Sequence, residues 1–261
     1  LLEYDTVINA NIAVHEKEAD YYDFIHNDIW NRAEQNRLKQ LLRTLTAQID
    51  NQSYKALDFG AGTGNITQKL LSIGYTVTAI DISPGMCRKL IEKERHMIKL
   101  KRLKVLNINF DETNLTEQYD LVTGYSVIHH LPNYLKTLEK LASSVKNGGI
   151  LYFDHEPPTP ISSANGIVDK LILKLYYFTE KNANAAYLKL HGVNLPPIDY
   201  SLADVHTQLD WQSITQMLKQ KGFTVEIQPH YVNDSRLNTP LSYLRKKILK
   251  VNSAMLLAKK T

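Results

Sequence analysis

Hydrophobic positions along this chain switch repeatedly between two periods. Leu38, Leu41, Leu42, Leu45 and Ile49 recur every three or four positions, the spacing of a helix with one buried face. The aromatic-rich stretch before it, 16–29, reads as helical too. From residue 55 onward, short apolar runs alternate with helical stretches. Runs at 55–59, 76–80, 105–110, 121–124 and 150–153 predict five strands. Helices are expected from the turn after Phe59 through Leu71, over 84–96 and over 132–145. The last of these is stopped by Lys146-Asn147-Gly148-Gly149. A helix over 211–221, broken by Gly222, precedes runs at 223–227 and 254–258 that predict two neighbouring antiparallel strands. This alternation predicts an α/β chain with a doubly wound, mostly parallel sheet.

One stretch breaks the rhythm. Residues 157–206 hold Pro157, Pro158, Pro160, Pro196 and Pro197 around an amphipathic helix. Ile167, Val168, Leu171, Ile172 and Leu175 share one face of it, with Asp169, Lys170 and Lys174 on another. A connection this long exceeds a plain loop, so it predicts an inserted helical lid. The expected organisation is an N-terminal helical cap over 1–50, a core over 51–156, the lid over 157–206, and the C-terminal part of the core sheet over 207–261.

Composition changes the picture only modestly. The 261 residues are 43% hydrophobic and 22% charged, ordinary globular values that leave ample material for a core. A single cysteine, Cys87, forms no internal disulfide, and its place in the helix after the second strand predicts an inert core role. A reducing, cytoplasmic setting is expected. No apolar run is long enough to predict a membrane span, and no basic-then-apolar leader is seen. A net charge of +4 is mild, and nucleic acid is not favoured as a partner.

The candidate chemistry lies in Asp58-Phe59-Gly60-Ala61-Gly62-Thr63-Gly64-Asn65, a strand end running through three glycines into a helix. Glycine serves where φ is positive or where a ligand approaches the backbone. A helix start offers free N–H groups to a polar ligand group. Asp81, at the end of the next strand, stands where an acid takes both hydroxyls of a ribose. A dinucleotide fingerprint would put its third glycine at 65, where Asn65 stands. Asp58 would repel a pyrophosphate but accept from an ammonium. Both observations favour a nucleoside that carries an amino acid.

LDFGAGTGNIT (57–67), VTAIDIS (77–83), NFDETNL (109–115), YDLVTGYSVIHHL (119–131) and KNGGILYFDHEP (146–157) together resemble the successive motifs of class I S-adenosylmethionine-dependent methyltransferases of the small-molecule type. The resemblance implies a Rossmann-like seven-stranded sheet with an antiparallel final hairpin, and S-adenosyl-L-methionine as cofactor. It sets Gly60, Ala61 and Gly62 against the methionine and ribose, with Phe59 and Gly64 completing the loop and Asp58 under the amino group. Asp81 takes the ribose hydroxyls, Ile82 flanks the adenine, and Asp111 with the Glu112 backbone reads the adenine amino group. Tyr125 lines the cofactor. Met86 packs on the adenine or belongs to the helix core. In the run 18–24, either Tyr21 or Tyr22 reaches the methionine end, where an aromatic face suits a sulfonium, or the helix packs its aromatics on the core.

Methyl transfer is an in-line displacement that needs alignment and a dry pocket, and a base only for a protonated nucleophile. His129 and His130 after the fourth strand and His155 after the fifth are the base candidates, each with a structural alternative. Asp154 and Glu156 orient His155 or cap the following segment. A metal site is not expected, because neighbouring strand positions point to opposite faces. Tyr176-Tyr177-Phe178 in the insertion favours an apolar or aromatic acceptor beneath a lid; as a surface helix it would meet a membrane or a homodimer partner. Arg245-Lys246-Lys247 reads as a solvated helix face. The rival functions are a nucleic-acid methyltransferase, which lacks its Asn/Asp-Pro-Pro-aromatic turn here, a Rossmann oxidoreductase, and a catalytically silent cofactor-binding subunit.

Overall fold

Seven strands form one sheet in the order β3-β2-β1-β4-β5-β7-β6. The computed structural model describes residues 4–49, 54–113, 115–158, 166–194, 208–233, 235–236 and 239–261. Four helical segments open it: α1 (Tyr4–Glu18), α2 (Tyr22–Ile25), α3 (Asn27–Trp30) and α4 (Arg32–Thr46). Next come β1 (Lys55–Phe59), α5 (Asn65–Ile73), β2 (Thr76–Asp81), α6 (Pro84–Lys93), α7 (Arg95–Lys99) and β3 (Leu103–Asn107). Strand β4 (Tyr119–Tyr125), α8 (Tyr134–Ser143) and β5 (Val145–Glu156) complete the parallel part. Helix α9 (Ile167–Leu190) lies in the insertion, and α10 (Trp211–Gln220), β6 (Phe223–His230), α11 (Pro240–Leu249) and β7 (Ser253–Lys260) close the chain. Strand β7 runs antiparallel to both β5 and β6, so the expected final hairpin is present.

The strands of the parallel part read as unbroken apolar runs because both sheet faces are covered. One buried cluster joins Leu38, Leu42 and Leu45 of α4 to Leu70, Val77 and Leu121. The other, on the opposite face, joins Leu57, Val122 and Leu151 to Leu138, Leu141, Ile214 and Leu218. Cys87 is buried, and burial pushes its thiol up to about 12.

Several boundaries moved. The helix expected over 132–145 ends at Ser143, and Val145 already pairs with Tyr119. The glycines that looked like a helix stop form a bulge in β5, with Gly148 at φ +77°. The run 105–110 is divided between β3 and a 3-10 turn at Phe110–Glu112. The N-terminal helix starts well before residue 16 and breaks after Glu18. Asp20 and Asp23 beyond that break pair with Lys89 and Lys93 of α6, which bends the chain across the carboxyl ends of the strands. Pro160, Pro196 and Pro197 of the expected lid lie outside the described residues.

Candidate cofactor and acceptor site

The carboxyl ends of β1, β2 and β4 open into one cleft of about 870 Å³. Gly60, Gly62 and Gly64 all hold positive φ, at +64°, +53° and +102°. A Cβ at Gly60 would stand 2.3 Å from Val127 Cγ2, and one at Gly64 2.6 Å from Leu90 Cδ1, so both positions are too close to a neighbour for a side chain, whereas Gly62 is set apart by its backbone angle alone. Gly64 caps α5 without lining the cleft. Asp81 Oδ2 accepts from Gly62 N at 2.8 Å and Oδ1 from Ser83 N at 2.8 Å. These bonds fix the carboxylate at the cleft wall, and burial is the main cause that raises its pKa.

Phe59, Ile82, Met86, Asp111 and Tyr125 line the same cleft. Met86 is 1% exposed, so it is a core residue whose edge meets the cleft. Asp111 accepts from Tyr4 Oη at 2.9 Å and Thr137 Oγ1 at 2.7 Å. Burial first, then the Asp111 bond, lifts the Tyr4 hydroxyl to about 12. Glu112 lies outside the cleft, where its carboxylate accepts from Asn109 at 2.8 Å.

A smaller adjoining recess is walled by Asp58, Gly60, Ala61, Gly62, Asn65, Tyr22 and Tyr125. Asp58 is 1% exposed and accepts from Thr67 at 2.6 Å and Thr123 at 3.1 Å. Burial raises it to about 6 against the pull of those bonds. Asn65 completes the recess. Its Oδ1 accepts from Lys69 Nζ at 2.7 Å and Gln35 Nε2 at 2.8 Å, and since an ammonium only donates, this fixes the amide orientation. Its Nδ2 is then a buried donor without a partner. An acceptor and a free donor side by side suit the ammonium and carboxylate of an amino acid.

The histidines separate into three roles. His129 is buried, with Nδ1 2.7 Å from Glu156 Oε2, and lines neither space. Glu156 also accepts from the backbone N–H groups of Val127, Ile128 and His129, so it caps the turn after β4 and does not orient His155. Burial works to raise its carboxyl, yet His129 and these donors hold it below the ordinary range. His130 lines the main cleft, 6.0 Å edge-on from His15.

His155 faces elsewhere. It stacks on Tyr125 at 5.0 Å and lines a second cavity of about 1180 Å³ together with Asp28, Tyr176 and Tyr177. Its Nε2 is 3.5 Å from Asp28 Oδ2, and its Nδ1 is buried without a partner. Asp154 Oδ1 accepts from the His155 backbone N–H at 2.7 Å. That carboxylate takes Arg37 at 2.7 Å and Tyr152 Oη at 2.5 Å, tying α4 to β5. His155 and Ser126 both hold left-handed backbone, at φ +61° and +54°, a strain that clusters at functional sites.

The sequence reading missed Tyr4, Ile8, Asn11 and His15, which line the cleft from α1. Their spacing of four, three and four is a helical stripe, a signal present in the sequence. Helix α9 of the insertion lines the second cavity and not the cleft that holds Asp81. Arg245 is no solvated cation. It is buried against Tyr176 and donates to Tyr231 Oη at 2.8 Å.

A glycine turn, a strand-end acid and a recess with a buried acceptor beside a free donor thus meet at the carboxyl ends of the parallel strands. Residues 57–151 match the methyltransferase domain family. Malonyl-acyl-carrier-protein O-methyltransferase of Acetivibrio thermocellus is 32% identical over 120 residues, which cover 44% of this chain and 41% of that protein. The matched stretch spans less than half of each of the first two curated relatives. Among solved structures, magnesium protoporphyrin IX methyltransferase of Synechocystis PCC 6803 with bound SAM superposes with a TM-score of 0.54 at 16% identity, covering 94% of this chain and 97% of that one. The DhpI-SAM-HEP complex gives 0.60 at 15% identity, covering 98% and 99%. These likenesses establish the fold.

Proposed function

We propose that the chain transfers a methyl group from S-adenosyl-L-methionine to a small apolar or aromatic molecule. The observation that carries this reading is the joint recess and cleft. Asp58 and the unpartnered Asn65 Nδ2 suit an amino-acid end, Asp81 a ribose, and Phe59, Ile82, Met86 and Asp111 an adenine. When bound, the cofactor supplies an electrophilic methyl on a sulfonium. The residues of this chain supply alignment. Gly60 and Gly62 keep the floor free of side chains, and Tyr22 and Tyr125, in the walls of both cleft and recess, offer aromatic surface to a cation.

In this reading the acceptor occupies the cavity beside His155, and the two spaces meet at the Tyr125–His155 stack. His155 takes the proton of an oxygen or nitrogen acceptor, and Asp28 stabilises the resulting imidazolium. His129 positions the turn after β4 through Glu156, and His130 stays with the cofactor cleft. The test is transfer of a labelled methyl group to a panel of hydroxylated aromatics, amines and activated carbon acids. His155→Ala should lower turnover on the preferred acceptor by about 100-fold, with S-adenosylhomocysteine affinity unchanged. An unchanged rate would return His155 to a packing role. Cofactor binding without transfer to any acceptor would favour the silent-subunit reading.

A further inference from the structure

Helix α9 is apolar on two opposite sides. Tyr176, 1% exposed, and the buried Glu180 face inward, where Glu180 accepts from Ser235 and the Arg236 N–H and Tyr176 meets Arg245 of α11. At the helical step of about 100° per residue, Ile167, Leu171 and Phe178 lie on the opposite side. They are 81%, 61% and 65% exposed, with Val168 and Leu175 open beside them. A surface helix ordinarily turns charge to water on that side, and a contiguous exposed apolar strip marks an interaction surface.

Charge indicates what covers it. Lys170, Lys174 and Lys181 flank the strip and are exposed, as are Lys246 and Lys247 on the neighbouring α11. Helix α11 contains no acid, and of the two acids in α9 one, Glu180, is buried and taken. We propose that this face of α9, with the lysines of α11, docks on an anionic lipid surface. The apolar strip enters the acyl boundary while the lysine stems reach outward to phosphates. A second copy placed by two-fold symmetry would bring these lysines against their own counterparts, which argues against self-association. No helix among the described residues is long and apolar enough to span, so the contact is with the surface. The proposal stands independently of which acceptor is methylated.

Vesicle flotation of the full chain tests it. Vesicles of equal parts phosphatidylcholine and phosphatidylglycerol should carry the protein, and phosphatidylcholine alone should not. The double change Leu171→Asp with Phe178→Asp should abolish flotation, and Lys170→Glu with Lys174→Glu should weaken it at least about tenfold. All four side chains are exposed, so the variants should keep the wild-type melting temperature and cofactor affinity. No flotation of the wild type, or equal flotation of wild type and variants, would overturn the proposal. Equal binding to neutral vesicles would overturn it as well. A dimer in solution that Leu171→Asp dissociates, without flotation, would assign the face to a second copy instead.

Discussion

Asp58 and Asp81 are both buried carboxylates, and they do different work. Asp81 is held by two backbone N–H groups and presents its remaining lone pairs to the cleft. Charge-assisted hydrogen bonds are worth about 1.5–3 kcal/mol each, so Asp81→Ala should cost S-adenosylhomocysteine at least about 100-fold in affinity by calorimetry. Asp58 adds a pH dependence. Burial raises it to about 6, and only the ionised form attracts an ammonium. Cofactor affinity should therefore be level above pH 6 and fall by up to about tenfold per unit below it, a step that Asp58→Asn removes. Folding without ligand runs the other way. The raised value favours the protonated native state, so this contribution is full below the ordinary 3.8 and is lost as pH rises through 6. It amounts to roughly 3 kcal/mol. Thermal melts of the wild type and Asp58→Asn across that range check the sign.

At the scale of elements, the glycine turn was legible because it stacks several signals in one place. A buried strand, three glycines and a strand-end acid at Asp81 each restrict the chemistry, and each was found where expected. Gly64→Ala should cost about 1–3 kcal/mol, seen as a melting temperature several degrees lower, since φ +102° and Leu90 both oppose a Cβ. The stripe on α1 was harder to recognise because Tyr4, Asn11 and His15 are not hydrophobic in the ordinary sense, yet they face a cleft. The break after Glu18 was hidden for a different reason. It depends on Lys89 and Lys93 some seventy positions away, and local propensity carries no trace of such pairs. Glu156 was misassigned similarly, because its partners lie on another strand's loop. Removing residues 1–18 should weaken cofactor binding at least about tenfold by exposing the adenine side, while the core still unfolds cooperatively.

Across the whole molecule, the N-terminal helices are tied to the sheet by a buried ionic cluster. Arg37 bonds both Glu34 and Asp154, which are 5% and 0% exposed, and Tyr125 Oη donates to Glu34 at 2.9 Å. The cluster links the cleft wall at Tyr125 to the stacked His155. Arg37→Met would leave two buried carboxylates uncompensated and should cost about 3–5 kcal/mol in denaturant unfolding, with a loss of cofactor affinity as Tyr125 loosens. The pairing was not visible in the sequence, where Glu34 and Arg37 look like ordinary surface charges and Asp154 like an acid serving His155 or the following segment. The central claim remains that the cleft takes a nucleoside bearing an amino acid. Calorimetric titration of the full chain with S-adenosylmethionine, S-adenosylhomocysteine and NADH measures it directly. Micromolar binding of the first two and none of NADH is the expected result. Binding of NADH alone, or of none of the three, would contradict the assignment of the recess formed by Asp58 and Asn65.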